Sequence, residues 1–147
     1  MLYSIGPLAL DTFPFAADEV VRDASADFAT KQLVGRLPGR EFMGEGEDTL
    51  RISGQLVPTK IGGLTELETA HALRRAGQAL PVMRGDGRAL GWFVIERIRE
   101  EHADLERDGV GFTVKHEIGL TKVDPPAAAA AGNLIGTLLS LFGVLGR

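Results

Sequence analysis

The alternation of apolar and polar residues is clearest between Thr49 and Val57. Apolar side chains recur there at alternate positions, at Leu50, Ile52 and Leu56, with polar side chains between them. A period of two places the apolar residues on one face of an extended chain and the polar residues on the other. The segment therefore predicts a half-buried strand.

Three further strands are predicted downstream. Residues Leu80–Met83 and Leu90–Ile98 flank an Asp-Gly pair at 86–87, which is typical of a hairpin turn. The second of these runs is apolar on both faces, so we expect it to lie centrally in a sheet. Residues Val110–Leu120 alternate again, and His116 shares their apolar face.

One helix of about three turns is predicted between Leu64 and Gly77. Thr65 and Glu68 have the spacing of a capping box, in which each side chain satisfies a free backbone amide. Gly77 can end the helix in a left-handed conformation. The inward face would consist of small or apolar side chains: Leu67, Ala70, Leu73 and Ala76.

Other segments lack a clear period. Residues 1–15 indicate an N-terminal strand interrupted by prolines. We interpret residues 16–40 as an extended excursion with room for one short helical turn, and residues 100–109 as a charged connector. The glycine-and-acid run directly before Thr49 predicts a solvated turn, whose glycines permit positive φ. Its members are Gly44, Glu45, Gly46, Glu47 and Asp48.

The sequence Asp124-Pro125-Pro126 marks a boundary between two regions, a β-rich domain over residues 1–124 and a C-terminal segment over residues 125–147. The C-terminal segment carries no charge from Pro125 to Gly146. Its large apolar residues recur at helical spacing: Leu134, Ile135, Leu138, Leu139, Leu141, Phe142 and Leu145. We expect a hydrophobic helix that is buried against a partner, because such a surface would otherwise promote aggregation. Its strongly apolar part is shorter than a membrane span.

Composition narrows the function classes. The chain has 147 residues, 44% hydrophobic and 24% charged, and suits one ordinary globular domain. Its net charge of −4 gives no general attraction to nucleic acid or to anionic membranes. The absence of cysteine excludes disulfides, thiolate metal sites and cysteine nucleophiles. No basic stretch precedes the apolar N-terminus, so we expect synthesis and folding in the cytoplasm.

No catalytic or metal site is predicted. The carboxylates of the acidic run could attract a hard cation, but their spacing differs from that of an EF-hand loop. His71 and His102 lack the spacing that places two imidazoles on one helix face, and His116 fits a hydrogen-bonded core histidine. We therefore expect a non-enzymatic protein without cofactors. A metal-dependent enzyme and a membrane-active module stay as distant alternatives.

The ordered landmarks between residues 40 and 124 resemble those of the GpU family of tail proteins, which occurs in contractile-tailed temperate phages and related injection particles. The first landmarks are Arg40-Glu41-Phe42, Gly44-x-Gly46-Glu47-Asp48, Leu50-x-Ile52-x-Gly54, Pro58 and Gly62-Gly63. Later ones are Gly85-x-Gly87, Gly91-x-Phe93-Val94-Ile95, Phe112-x-Val114 and Leu120-Thr121-Lys122-Val123-Asp124.

The resemblance implies an α+β, mainly β fold, an antiparallel β-sandwich like that of a tail-tube subunit with one flanking helix. It also implies a structural subunit that forms a ring of identical copies where the inner tube meets the baseplate and hub. The hub, a LysM-type tail protein, the tube, the sheath and the tape-measure protein are the expected partners. A tail terminator at the head-proximal end is the alternative. We expect the Gly44–Asp48 run and the apolar residues of the C-terminal segment to lie at assembly interfaces.

Overall fold

The computed structural model describes residues 1–11 and 15–127. These residues form seven strands and one helix. The strands are β1 (Tyr3–Ile5), β2 (Leu8–Leu10), β3 (Glu19–Lys31), β4 (Gly39–Leu56), β5 (Leu80–Arg84), β6 (Ala89–Leu105) and β7 (Gly111–Val123), and the helix is α1 (Leu64–Ala76), between β4 and β5.

All seven strands belong to one antiparallel sheet in the order β2-β1-β5-β6-β7-β4-β3. The last strand, β7, therefore lies between β6 and β4. Its Ile118 stands opposite Ile52 of β4 on one side and Ile98 of β6 on the other. The expected central position of the strand around Val94 is confirmed, because β6 lies between β5 and β7.

The sheet is strongly curved. β1 and β3 are separated by four strands in the sheet, yet Tyr3, Val20 and Arg84 line the same pocket. Only curvature can bring these strands together. The mainly β, antiparallel fold with one helix agrees with the prediction. The prediction of two packed sheets is wrong, because the strands form one curved sheet. Twist and coiling of long strands allow a single sheet to enclose its own core.

The core fills the concave side of this sheet. It includes Ile52, Phe93 and Ile118, all fully buried, together with Phe15 from the segment before β3. The helix contributes Leu67 and Ala70, as predicted. Alternation along β4 and β7 thus reflects one buried face, which explains why these strands were the easiest to predict.

Several local predictions are wrong. The segment over residues 16–40 is mostly the 13-residue strand β3, and β6 continues through the predicted charged connector to Leu105. The capping box is not formed: Gly63 occupies the N-cap position, and no side chain caps the helix. Thr65 instead lies inside α1, where its carbonyl oxygen accepts a hydrogen bond from the hydroxyl of Thr69 at 2.9 Å. The predicted C-cap is correct, because Gly77 has φ 65°.

Candidate assembly surface

The acidic run Gly44–Asp48 is a part of β4 and not a turn. Ala24 stands opposite Asp48, Ala26 opposite Glu45, and Asp27 opposite Gly44. β4 inserts one extra residue between Asp48 and Glu45 and another between Gly44 and Phe42, so both irregularities are β-bulges on β4. The bulges interrupt the alternation that would have marked this segment as a strand.

Glycine is favoured at positions 44 and 46 for different structural reasons. Gly44 has φ 118°, a conformation that side chains rarely adopt, at the second bulge. At Gly46 a Cβ atom would collide with the hydroxyl of Ser25 across the ladder. Ser25 also donates a hydrogen bond to the carbonyl oxygen of Glu47 at 3.1 Å. The glycines therefore shape a two-stranded ladder and do not form a ligand cradle.

Residues 24–48 form a two-stranded arm that extends beyond the rest of the sheet. β4 pairs with β7 only from Thr49 onwards, whereas its pairing with β3 continues to Gly39 opposite Lys31. Every residue of β3 after Val20 is exposed. The arm is therefore accessible to solvent and to other molecules.

Large apolar side chains are concentrated on this arm. The exposed ones are Phe28, Leu33, Val34, Leu37, Phe42 and Met43. Phe28 and Phe42 stand opposite each other, with ring centroids 5.5 Å apart in an edge-to-face arrangement. The two rings remain 48% and 62% exposed despite this contact. Such a concentration of exposed apolar area is characteristic of an interaction site.

An ion pair fixes the base of the arm. The guanidinium of Arg22 donates two hydrogen bonds to the carboxylate of Asp48, at 3.0 and 2.6 Å. These hydrogen bonds hold the pKa of Asp48 below its usual value and raise the pKa of Arg22. The amino group of Lys122 lies 3.9 Å from both Asp48 and Glu45, and so adds positive charge beside the acids. The base of the arm is thereby tied to β7.

The acidic side chains do not form a metal site. Within residues 1–11 and 15–127, no three histidine, aspartate or glutamate side chains converge as a metal site would need. Glu45 instead faces Lys122, and Asp48 is engaged by Arg22. The predicted interface residues of the C-terminal segment, from Leu134 to Leu145, lie outside the described residues. Across the part of the chain that the structure covers, no helix has the length and apolar character needed to cross a bilayer.

His116 is a core histidine, as predicted. It is 2% exposed, stacks on Phe15 with ring centroids 4.5 Å apart, and donates through Nε2 to the carbonyl oxygen of Ala16 at 2.7 Å. Burial lowers its pKa, so the imidazole is neutral near pH 7. Gly54, opposite His116 on β4, leaves room for Ala16 at this point. The histidine thus anchors the segment before β3 to the sheet.

The other two histidines meet at one carboxylate, which the sequence did not predict. His71 of α1 and His102 of β6 contact the two oxygens of Glu100 at 2.5 and 3.3 Å. The N–H of Gly111 donates to Nδ1 of His102 at 3.1 Å, so His102 carries its proton on Nε2 and donates it to Glu100. Burial alone would raise the pKa of Glu100, but the hydrogen bonds from His71 and His102 outweigh it and lower the pKa. The cluster joins the helix to the sheet.

Two solved structures are similar to this chain. The SPP1 Dit (gp 19.1) protein, described as a paradigm of the hub adsorption apparatus in phages that infect Gram-positive bacteria, matches with a TM-score of 0.56 and 14% identity. The match covers 84% of this chain and 50% of Dit, so the chain spans half the length of that protein. A chain from the tail of an empty GTA particle matches with a TM-score of 0.47 and 16% identity, over 74% of this chain and 78% of that chain. No curated protein sequence matches.

The fold of this chain is therefore similar to that of the SPP1 Dit protein. The chain belongs to the Phage P2 GpU family, whose model matches residues 7–125. The family suggested by the landmarks between residues 40 and 124 is thereby confirmed, and the protein is a phage tail protein.

Proposed function

We propose that this protein is a non-enzymatic structural subunit of a contractile phage tail or tail-like particle. It assembles as a ring of identical copies in the hub-proximal region, where the inner tube meets the baseplate. Membership of the Phage P2 GpU family supports a role in the tail. The fold shared with Dit is compatible with the hub-proximal position. The bacterial cytoplasm is the place of synthesis, and the particle is the final location.

The observation that carries the proposal is the apolar arm. A contact between two different surfaces of identical subunits closes into a ring when the rotation allows it. The arm offers such a surface, because its outer half projects from the sheet and carries Val34 and Leu37, which are 102% and 88% exposed. Burying such side chains in a neighbour stabilises assembly by roughly 25 cal/mol per Å². The Gly44–Asp48 run forms part of the arm, which supports its proposed place at an interface.

The C-terminal segment supplies the second proposed surface in the assembled particle. Its apolar residues, from Leu134 to Leu145, dock against the hub, the tape-measure protein or neighbouring copies. A chain ending at Asp124 should then fail to support normal particle yield. Normal yield from that shortened chain would remove the C-terminal segment from the assembly surface.

Complementation of a strain lacking this protein tests the role of the arm. The double substitution Val34→Asp with Leu37→Asp places two charges at exposed positions, so the fold should be kept while the apolar contact is lost. The matched control is Leu105→Asp, which alters an exposed apolar residue at the end of β6. We expect electron microscopy to show intact particles with the control and their loss with the double variant. Equal particle yields would contradict the proposed interface.

Cryo-electron microscopy of whole particles tests the position. Density for this chain beside the hub would support the proposed site. A ring at the head-proximal tip would instead identify a tail terminator.

A further inference from the structure

A cleft lies between β1 and the start of β3. Its volume is about 480 Å³, and its lining includes Tyr3, Ala17 and Val20, which are partly buried and pack against the core. Met1 and Leu2 also line the cleft and remain 55% and 40% exposed. The described residues thus leave apolar area open to solvent beside the core.

The unpaired charges of the cleft are negative. Arg84 belongs to its lining, but the guanidinium is bound by Asp86 at 2.7 Å. The N-terminal amine is likewise bound by Asp11 at 2.8 Å. Asp18 and Glu19 line the cleft, are exposed, and have no ion-pair partner among the described residues. The cleft therefore suits a ligand that is both apolar and basic.

The tip of the arm, residues 31–40, is apolar and basic. Its charged residues are Lys31, Arg36 and Arg40, all of them exposed, and it contains no acidic residue. Val34 and Leu37 in the same stretch are 102% and 88% exposed. The arm tip thus complements the cleft in two respects, with apolar side chains for the lining and positive charge for the free carboxylates.

The arm tip cannot reach the cleft of its own chain. β3 runs from the cleft to the tip, and the stretch from Val20 to Lys31 spans about 35 Å at the rise of an extended strand. Pairing with β4 keeps this strand extended as far as Lys31. A tip that enters the cleft must therefore come from another copy.

We infer that the arm tip of one copy docks in the cleft between β1 and β3 of a neighbouring copy. The apolar tip residues cover the lining of the cleft, and the basic residues face Asp18 and Glu19. The contact joins two different surfaces of identical chains, so it can repeat around a ring. The inference rests on the proposed ring of identical copies, for which it names the receiving surface.

Cross-linking in assembled particles tests the inference, because the chain has no cysteine of its own. A strain lacking the protein produces two differently tagged copies, one with Val34→Cys in the arm tip and one with Leu2→Cys in the cleft. Both positions are exposed. After oxidation of the purified particles, we expect disulfide-linked dimers that contain one chain of each kind. The matched control replaces Leu2→Cys by Leu105→Cys, an exposed position outside the cleft, and should give monomers.

The outcomes separate the docking contact from the proposed function. Particles that hold both kinds of chain, but no linked dimers above the control level, would overturn the inference and leave the proposed function intact. Wild-type particles without this protein would overturn the proposed function itself.

Charge reversal tests the same contact without cysteine. Asp18→Lys with Glu19→Lys should lower the particle yield by roughly tenfold, because like charges would then face each other across the contact. Lys31→Glu with Arg36→Glu should do the same. Combining both pairs in one chain restores opposite charges, so we expect most of the yield to return. A combined variant as deficient as either pair would overturn the inference, as would normal yields from both pairs.

Discussion

At the scale of single residues, Gly54 has the least room for a side chain among the glycines that the structure describes. A Cβ atom there would collide with the carbonyl oxygen of Ala16, which is backbone and cannot turn aside. Gly54→Ala should therefore lower the free energy of unfolding by about 1–3 kcal/mol, as overpacking does elsewhere. Urea denaturation measures this loss. Gly119→Ala is the control, because Arg97 lies 3.7 Å from the added atom, an ordinary contact distance. Equal losses in both variants would refute the steric explanation.

Asp48 is the residue whose charge matters most at the base of the arm. Asp48→Asn should cost about 1 kcal/mol at pH 7, since a charge-assisted hydrogen bond is lost beside a partly exposed arginine. The folded protein holds the pKa of Asp48 below its usual value. The stabilisation is therefore fully present above the ordinary aspartate pKa and is lost as the pH falls through the folded value.

The stability difference between wild type and Asp48→Asn should accordingly shrink below about pH 4. Denaturation curves at several pH values measure it, with the exposed Asp23→Asn as control. A difference that stays constant from pH 7 to strongly acidic conditions would exclude the ionised pair as its source.

At the scale of elements, the cluster of His71, Glu100 and His102 couples α1 to β6. Glu100→Gln leaves one acceptor oxygen where the two imidazoles now use two, so one contact must weaken. We expect a loss of about 1–2 kcal/mol and faster hydrogen exchange in α1. Glu101→Gln changes the neighbouring exposed carboxylate and should leave α1 unaffected. If exchange in α1 stayed at the wild-type rate in Glu100→Gln, the helix would be held by apolar packing alone.

Elements with one buried face could be predicted from the sequence, and elements exposed on both faces could not. The strand around Ile52 and the helix around Leu67 have a regular apolar period because the core lies on one side. β3 has no such period, because both its faces meet solvent beyond Val20. In β4 the bulges and glycines between Phe42 and Asp48 imitate a turn.

The histidine cluster could not be predicted for a different reason. His71 and Glu100 are 29 residues apart and meet only through tertiary packing. Two polar side chains so far apart in the sequence give no periodic signal that would indicate their contact. The acidic run Gly44–Asp48, by contrast, could be identified as a candidate site from its composition. Its role at an interface stays a proposal.

At the scale of the whole molecule, the arm should be separable from the body of the sheet. Ala26 and Glu45 stand opposite each other, so a two-residue Asn-Gly turn can replace residues 27–44. The body keeps its core, and we expect the free energy of unfolding to change by less than about 1 kcal/mol. Particle assembly should be lost. Calorimetry and electron microscopy of the same variant measure the two effects.

Shortening the opposite hairpin provides the comparison. Replacing residues 104–112 with a similar turn between Ala103 and Thr113 removes Gly111, whose N–H holds His102. That change should destabilise the body more than removal of the arm. The reverse order would mean that the arm contributes to the core and is not a separate extension.

The position of β7 has a consequence for synthesis on the ribosome. β7 is the last of the seven strands to be translated, yet it lies between β6 and β4 and joins the two parts of the sheet. Until residues 111–123 leave the exit tunnel, nascent chains expose two unpaired inner edges, those of β4 and β6. Such edges promote association between neighbouring chains on a polysome. Folding of the sheet is therefore completed late, and slowing translation before residue 111 should lengthen the period in which a chaperone is needed.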